Sequence, residues 1–269
     1  MNGDFIITFP YIDPIIFSLG PLDIRWYSIA YILGLILGIQ YIKYLNKLFK
    51  LKLNNTLIND FFLWVALGVI LGGRLGYVIL YNPEYYLNNI YEIIKIWHGG
   101  MSFHGGLIGV IISIIFFSKK NNIKLFVLSD LVACSAPIGI FFGRIANFIN
   151  GELVGRTTNT DFGMVFPHID NLIRHPSQIY EAFFEGIVLF IILNLLINNK
   201  VIRSKSGYIS SYFLIFYSIF RFFCEYFREP DNHIGLLFFN LSIGQIYSII
   251  FFIIGLYILK KKINKNEII

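Results

Sequence analysis

The chain has 269 residues, 56% of them hydrophobic and 14% charged, with a formal net charge of +6 at pH 7. Soluble domains carry about a quarter charged residues, so this composition excludes a water-soluble globule and makes lipid the natural solvent. Excess positive charge suits either nucleic acid or an anionic membrane, and its placement along the chain selects the membrane and leaves nucleic acid no role.

Residues 1–23 have no basic start and contain Asp4, Asp13 and Asp23. They do not read as a cleavable signal peptide and are expected to form an outer N-terminal segment, with the first apolar run retained as a membrane helix. A spanning helix needs about 20 mostly apolar residues. Seven runs fit: 24–45, 60–81, 104–118, 125–149, 177–197, 207–228 and 243–259. The third is short and opens on a Gly pair, so an irregular end is expected there. Residues 85–97 are amphipathic, rich in Tyr and Ile, and read as an interfacial segment. Residues 150–176 form the longest polar stretch, and 260–269 a basic tail. The predicted fold class is an all-α integral membrane protein of seven transmembrane helices spanning 24–259.

Charge sets the orientation. Lys43, Lys47, Lys50, Lys52, then Lys119, Lys120, Lys124, then Lys200, Arg203, Lys205, and finally Lys260, Lys261, Lys262, Lys265 fall at alternate ends of the seven runs. Basic links stay in the cytoplasm, which predicts the N-terminus outside and the C-terminus cytoplasmic. The other basic residues are Lys95 and seven arginines, Arg25, Arg74, Arg144, Arg156, Arg174, Arg221 and Arg228. Arginine presents a planar fork suited to phosphate and carboxylate. The histidines, His98, His104, His168, His175 and His233, also fall on the outer side.

Glycines recur at four-residue spacing, at Gly34/Gly38, Gly68/Gly72/Gly76 and Gly139/Gly143, which reads as close helix packing through small residues. Asp60 and Asp130 read as boundary or cap residues, and Cys134 and Cys224 as small core residues outside any disulfide framework.

Arg74, Arg144 and Arg221 each stand toward the outer end of an outward-running helix. Carboxylates lie at similar depth. Arg221, Glu225 and Arg228 share a face at i, i+4 and i+7, Glu181 and Glu185 repeat the four-residue spacing, and Asn147 follows Arg144 by three. A charge at the bilayer centre costs about 2.5–3.5 kcal/mol on insertion scales, so several at one level need a reason. Structural ion pairs that lock the bundle are one. Recognition of an anion in the outer leaflet is the other, the commonest being a phospholipid head group. No GxxxxGK loop, HExxH, GxSxG elbow or closed zinc spacing is present in the sequence, so the familiar soluble chemistries find little support.

Six strings carry a resemblance: WY at 26–27, GGRLGYV at 72–78, HGGLIG at 104–109, GRIANFINGELVGR at 143–156, RHPSQIYE at 174–181 and RFFCEYFREPD at 221–231. In this order they resemble the bacterial prolipoprotein diacylglyceryl transferases over nearly the whole chain. The resemblance implies a seven-helix inner-membrane enzyme, outside at its N-terminus, with its active site toward the periplasm. Such an enzyme moves the diacylglyceryl group of phosphatidylglycerol to the lipobox cysteine of a prolipoprotein signal peptide. A thioether forms and glycerol 1-phosphate leaves, and the resemblance implies no metal or nucleotide cofactor. Carried across by motif position, the implied functional residues are Tyr27, His104, Arg144, Asn147, Glu152, Gly155, Arg221, Glu225 and Arg228, with Tyr217 in the matching stretch. Arg25 stands where many members have His, and the loop at 150–176 is short.

On that resemblance Arg144 and Arg221 are expected to face the phosphate and His104 to act as base for the thiol. Tyr27 and Asn147 would bond the head group or thiol, Glu152, Glu225 and Arg228 would position the cluster, and Gly155 would permit close backbone approach. The alternatives are an organic-anion transporter and a lipid-binding membrane protein without turnover.

Overall fold

The computed structural model describes residues 7–20, 22–230 and 235–263; Asp4, Asp231, His233 and Lys265 lie outside them. The described residues are mostly helical, with five short strands among them, and the chain divides into two compact units, Ile39–Leu131 and Met1–Gly38 together with Val132–Ile269. Helices α1 (Trp26–Phe49) and α5 (Leu125–Ile149) each contribute to both.

In the unit Ile39–Leu131, α2 (Asn55–Tyr81) packs along α4 (Phe103–Lys120). The α2 sequence is amphipathic in an inverted sense. Leu63, Leu67, Leu71, Leu75 and Ile79 form an exposed apolar stripe, which suits lipid. The stripe facing α4 is glycine. A Cβ at Gly72 would lie 2.8 Å from the Cα of Gly109, and one at Gly76 would lie 2.6 Å from the Cα of Gly105. Without a hydrophobic drive between helices in lipid, such close approach supplies the packing energy. Gly72→Val should therefore destabilise the protein by at least about 2 kcal/mol, because two backbones must part; thermal unfolding in detergent measures it.

Between α2 and α4 the predicted interfacial segment 85–97 is not one helix. It breaks into α3 (Pro83–Asn88) and 3₁₀ turns at Ile90–Ile94 and Ile96–His98. Buried Arg74 explains the break. Its Nε donates to Ile93 O (2.9 Å), Nη2 to Glu92 O (2.5 Å) and Lys95 O (3.2 Å), and Nη1 to Gly99 O and to Gly100 O (3.2 Å). One guanidinium thus satisfies carbonyls that a continuous helix would have paired internally. Leu87, Ile90, Tyr91 and Ile94 point outward. The irregularity expected at the start of the third run lies just before it, at Gly99 and Gly100 (both φ +81°), and α4 itself starts regularly, its Gly105 N–H donating to the Ser102 side chain at 3.2 Å. Asn54, not Asp60, caps α2, accepting from Thr56 N at 3.2 Å.

In the other unit, strands β2 (Ile15–Leu19) and β3 (Leu22–Arg25) form a hairpin that leads directly into α1. Strand β1 (Ile7–Thr8) runs parallel to β4 (Met164–Val165), which pairs antiparallel with β5 (Ile173–Arg174). Phe9 stacks on Phe166 at 5.1 Å and meets Phe148 edge-on at 5.4 Å, forming with Val154 a small core under the polar stretch.

The next helical stretch, Ser177–Asn198, has three parts: α6 (Ser177–Glu181), a π-helical segment Ala182–Val188, and α7 (Leu189–Asn198). One-turn α8 (Lys200–Arg203) leads to α9 (Tyr208–Cys224) and then α10 (Ile243–Ile263), which packs along α9. Buried Leu189, Leu193 and Ile197 make the inner stripe of α7. Here too glycine sets close approach: a Cβ at Gly34 would lie 2.9 Å from the Cα of Gly139, and one at Gly186 would lie 2.8 Å from the Cβ of Phe141. Cys134 and Cys224 are buried thiols.

Among the described residues six helices are long and apolar enough to cross a membrane; Tyr208–Cys224, at 17 residues, is apolar but shorter. The chain is a multi-pass membrane protein. The sixth predicted run, 207–228, ends early. After Cys224 the backbone passes through i→i−3 bonds, Tyr226 N to Phe223 O at 3.2 Å and Phe227 N to Cys224 O at 3.0 Å, and Arg228 pairs in a β-bridge with Gly155. The expected single helix face for Arg221, Glu225 and Arg228 is therefore corrected: Arg228 reaches the cluster from a non-helical segment, pulled there by pairing with residues 154–156.

Candidate active site

Two polar clusters adjoin along α5. The first begins with Arg144 in its last turns. Nη1 of Arg144 lies 3.0 Å from Oε2 of Glu181, and Nη2 lies 3.0 Å from Oε2 of Glu185. Arg221, near the end of α9, bonds Glu181 through Nη1, which is also 3.5 Å from Glu185, and its Nη2 lies 2.6 Å from Glu225. Arg228 Nη1 reaches Glu181 at 3.4 Å. Glu181 and Glu185 have no exposed side-chain surface, whereas Arg144 and Arg221 keep 17% and 13%. Three guanidiniums and three carboxylates thus form a formally neutral cage. Neutrality explains how so many charges stay inside: an isolated buried charge costs several kcal/mol, and each here faces an opposite one.

The local structure shows why these groups meet. Glu181 ends α6 and Glu185 sits in the π-helical segment, a form that recurs at functional sites; both carboxylates face Arg144 and Arg221. Glu225 is fixed from the other side, where Ser242 Oγ donates to its Oε1 at 3.0 Å and a Cβ at Gly244 would lie 2.7 Å from its Cδ. Tyr217 stacks on Phe213 at 5.7 Å and shares the electrostatic surroundings of Glu185, Arg144 and Arg221.

The second cluster is uncharged apart from Glu152. Tyr27, in the first turn of α1, donates its hydroxyl to Glu152 Oε1. Asn147, one turn after Arg144, donates Nδ2 to the Tyr27 hydroxyl and to Glu152 Oε1, the latter at 3.0 Å. Glu152 is held through its backbone as well, its carbonyl accepting from Gln178 Nε2 at 2.6 Å, while Ser177 Oγ donates to Leu153 O at 2.9 Å. Helix α6 therefore serves both clusters, its start holding the Glu152 backbone and its last residue, Glu181, pairing with the arginines.

Gly155 stands between two backbones. Its N–H donates to His175 O at 2.9 Å, Arg156 N donates to Phe227 O at 2.8 Å, and Glu229 N donates to Val154 O at 3.1 Å. Arg174 bolts this layer together, pairing with Asp170 at 2.6 Å and Glu229 at 3.3 Å and donating to Gly155 O at 3.1 Å. The Arg174 guanidinium holds the Asp170 carboxyl below its ordinary range, and burial pushes the His175 imidazole down.

A family model for prolipoprotein diacylglyceryl transferase matches residues 14–260. The chain belongs to the prolipoprotein diacylglyceryl transferase family. It is 49% identical over 255 residues to a protein of Rickettsia bellii named phosphatidylglycerol–prolipoprotein diacylglyceryl transferase, covering 95% of this chain and 97% of that one. Proteins of the same name from Rickettsia akari and Rickettsia felis are 50% and 49% identical, each over 94% of this chain and 98% of theirs.

Of the site residues expected from the resemblance to this transferase family, Tyr27, Arg144, Asn147, Glu152, Gly155, Tyr217, Arg221, Glu225 and Arg228 all fall in one compact unit. His104 belongs to the other, exposed in the first turn of α4 with its ring edge-on to Phe103 at 5.6 Å. Arg25, in place of the family His, is an exposed residue 3.9 Å from Asp23. Glu181 and Glu185 were absent from the expected site, although their four-residue spacing was the signal. Arg74 serves the loop at 89–100, a role that sequence position alone did not separate from that of Arg144 and Arg221.

Proposed function

We propose that this chain transfers the diacylglyceryl group of phosphatidylglycerol to the lipobox cysteine of prolipoproteins, forming a thioether and releasing glycerol 1-phosphate, the first step of lipoprotein maturation. The observation that carries the reading is the buried cage of Arg144, Arg221 and Arg228, adjoining Tyr27, Asn147 and Glu152, in a member of this family. The cysteine sulfur attacks the glyceryl carbon that bears the phosphate ester. The C–O bond breaks and its electron pair goes to the phosphate oxygen. Preorganised positive donors stabilise charge that grows in this way. Arg144 and Arg221 are assigned to it, because their terminal nitrogens are already fixed and their side chains keep some exposed surface. Tyr27 and Asn147 bond the head group or the thiol, with Glu152 orienting both. Glu225, Arg228 and Tyr217 complete the head-group site, and Gly155 keeps its backbone layer closed.

The chain is read as a seven-span protein of the bacterial inner membrane, with Tyr208–Cys224 as the short span, the N-terminus outside and the active site toward the periplasm. Lysines at the ends of α1 and α4, around α8 and at the end of α10 support that orientation through the positive-inside rule. The deciding experiment incubates purified protein with phosphatidylglycerol vesicles and a lipobox peptide and follows the peptide by mass spectrometry. A diacylglyceryl mass increase on cysteine is the expected result. Head-group binding without addition would sink the reading in favour of a lipid-binding protein or an anion transporter.

His104 is assigned as the base for the thiol. A thiol of ordinary pKa is only about 3% thiolate at pH 7, so losing a base slows the reaction most where thiolate is scarce. His104→Gln should slow transfer near neutral pH, and raising the pH toward the thiol pKa should narrow the gap to the unsubstituted enzyme. A defect of the same size across the pH–rate profile would remove His104 from this role.

A further inference from the structure

We infer that Glu181 is a positioning residue: its buried carboxylate gathers Arg144, Arg221 and Arg228 at one spacing, so that all three act on the leaving phosphate together. The inference rests on the transfer reaction proposed above and deepens it. Glu181 is the one described carboxylate paired with three arginines, and they arrive from α5, from α9 and from the non-helical segment after α9. Among the described ion pairs Glu185 meets the first two arginines and Glu225 meets Arg221. Both oxygens of Glu181 are used, Oε2 toward Arg144 at 3.0 Å and Oε1 toward Arg221 and Arg228.

Glu181 is itself braced. Three residues earlier Gln178 holds the Glu152 carbonyl at 2.6 Å, and four residues earlier Ser177 holds the Leu153 carbonyl at 2.9 Å. A displacement of Glu181 would thus move the arginine cage relative to the Tyr27–Asn147–Glu152 cluster. Mere locking of helices does not require this arrangement, because well-packed apolar residues replace buried ion pairs at no loss of stability. Three guanidiniums held from three segments by one carboxylate keep their donors at fixed positions inside a neutral cage, and donors fixed in this way favour the state in which phosphate charge is greatest over the bound phosphodiester.

The test compares Glu181→Gln and Glu181→Asp in the phosphatidylglycerol–lipobox peptide assay, with rates taken per folded enzyme. The Gln variant should lose about 100-fold in kcat, in the range seen when a preorganised donor is lost, with KM for phosphatidylglycerol changed by less than about threefold. The Asp variant keeps the charge and should recover part of that loss. A packing role gives the opposite order, since Gln matches Glu in shape and Asp leaves a gap; Gln equal to or better than Asp overturns the inference. If the Gln variant is not recovered folded, the Asp variant decides alone: lowered kcat at near-constant KM supports positioning, and raised KM at unchanged kcat overturns it. Failure of the unsubstituted enzyme to transfer would instead count against the proposed reaction.

Discussion

Arg144→Lys should lose about 100-fold or more of diacylglyceryl transfer although the positive charge is kept, a loss of the size seen when one preorganised donor is removed. The reason is the fork. Nη1 and Nη2 of Arg144 each sit 3.0 Å from a different buried carboxylate, Glu181 and Glu185. A lysine ammonium is a point charge on a flexible stem and cannot hold both at once. One carboxylate then loses an arginine partner at a position with no exposed side-chain surface, and breaking a buried pair completely costs about 3–5 kcal/mol. Retained charge offsets part of that, so the variant should fold with a lowered unfolding temperature, while its arginine partners shift toward the deprived carboxylate. Initial rates in the mass-spectrometric assay and thermal unfolding in detergent measure the two effects separately. A rate within about threefold of the unsubstituted enzyme, less than 1 kcal/mol in barrier, would mean that a point charge suffices at this position.

Much of the architecture was legible because hydrophobic runs bounded by charge are local signals. The run 125–149 coincides with α5, and 177–197 with the stretch Ser177–Asn198 to one residue. The glycine spacing in α2 also read correctly as close packing, since Gly72 and Gly76 lie against Gly109 and Gly105. The end of α9 was not legible. It is set by pairing of residues 227–229 with 154–156, a contact between segments more than 70 residues apart that no local window contains. The same is true of Tyr27 and Glu152, 125 residues apart in sequence, which only the family strings placed together. Glu181 and Glu185 were visible as a spaced pair, yet the π-helical segment that holds Glu185 carries no signature in AFFEGIV. Arg74 was misleading for a related reason: its partners are loop carbonyls, and backbone acceptors leave no trace in residue identity.

Gly155→Ala is a single added methyl, and it should abolish most transfer while leaving the helices folded. A Cβ at Gly155 would meet the carbonyl of His175 and lie 2.6 Å from both the His175 Cβ and the Phe227 oxygen. Obstacles on both sides are backbone or backbone-proximal, so no rotamer change relieves them. The layer must open, and the bonds from Gly155 N to His175 O and from Arg156 N to Phe227 O are the ones in its path. Arg228, bridged to Gly155, would be carried with the layer away from Glu181. The loss follows from geometry, because a displacement of 1 Å in a positioned group costs about 100-fold in rate. Gly143→Ala provides the contrast. Its Cβ would meet nothing within 4 Å among the described residues, and alanine in a helix interior is favoured over glycine by about 1 kcal/mol, so that variant should unfold at the same temperature as the unsubstituted protein or higher. Helical content by circular dichroism, unfolding temperature and transfer rate, measured on both variants, test the contrast. Near-normal transfer by Gly155→Ala would show that the layer can part without disturbing Arg228, and would detach the 154–156 segment from the chemistry.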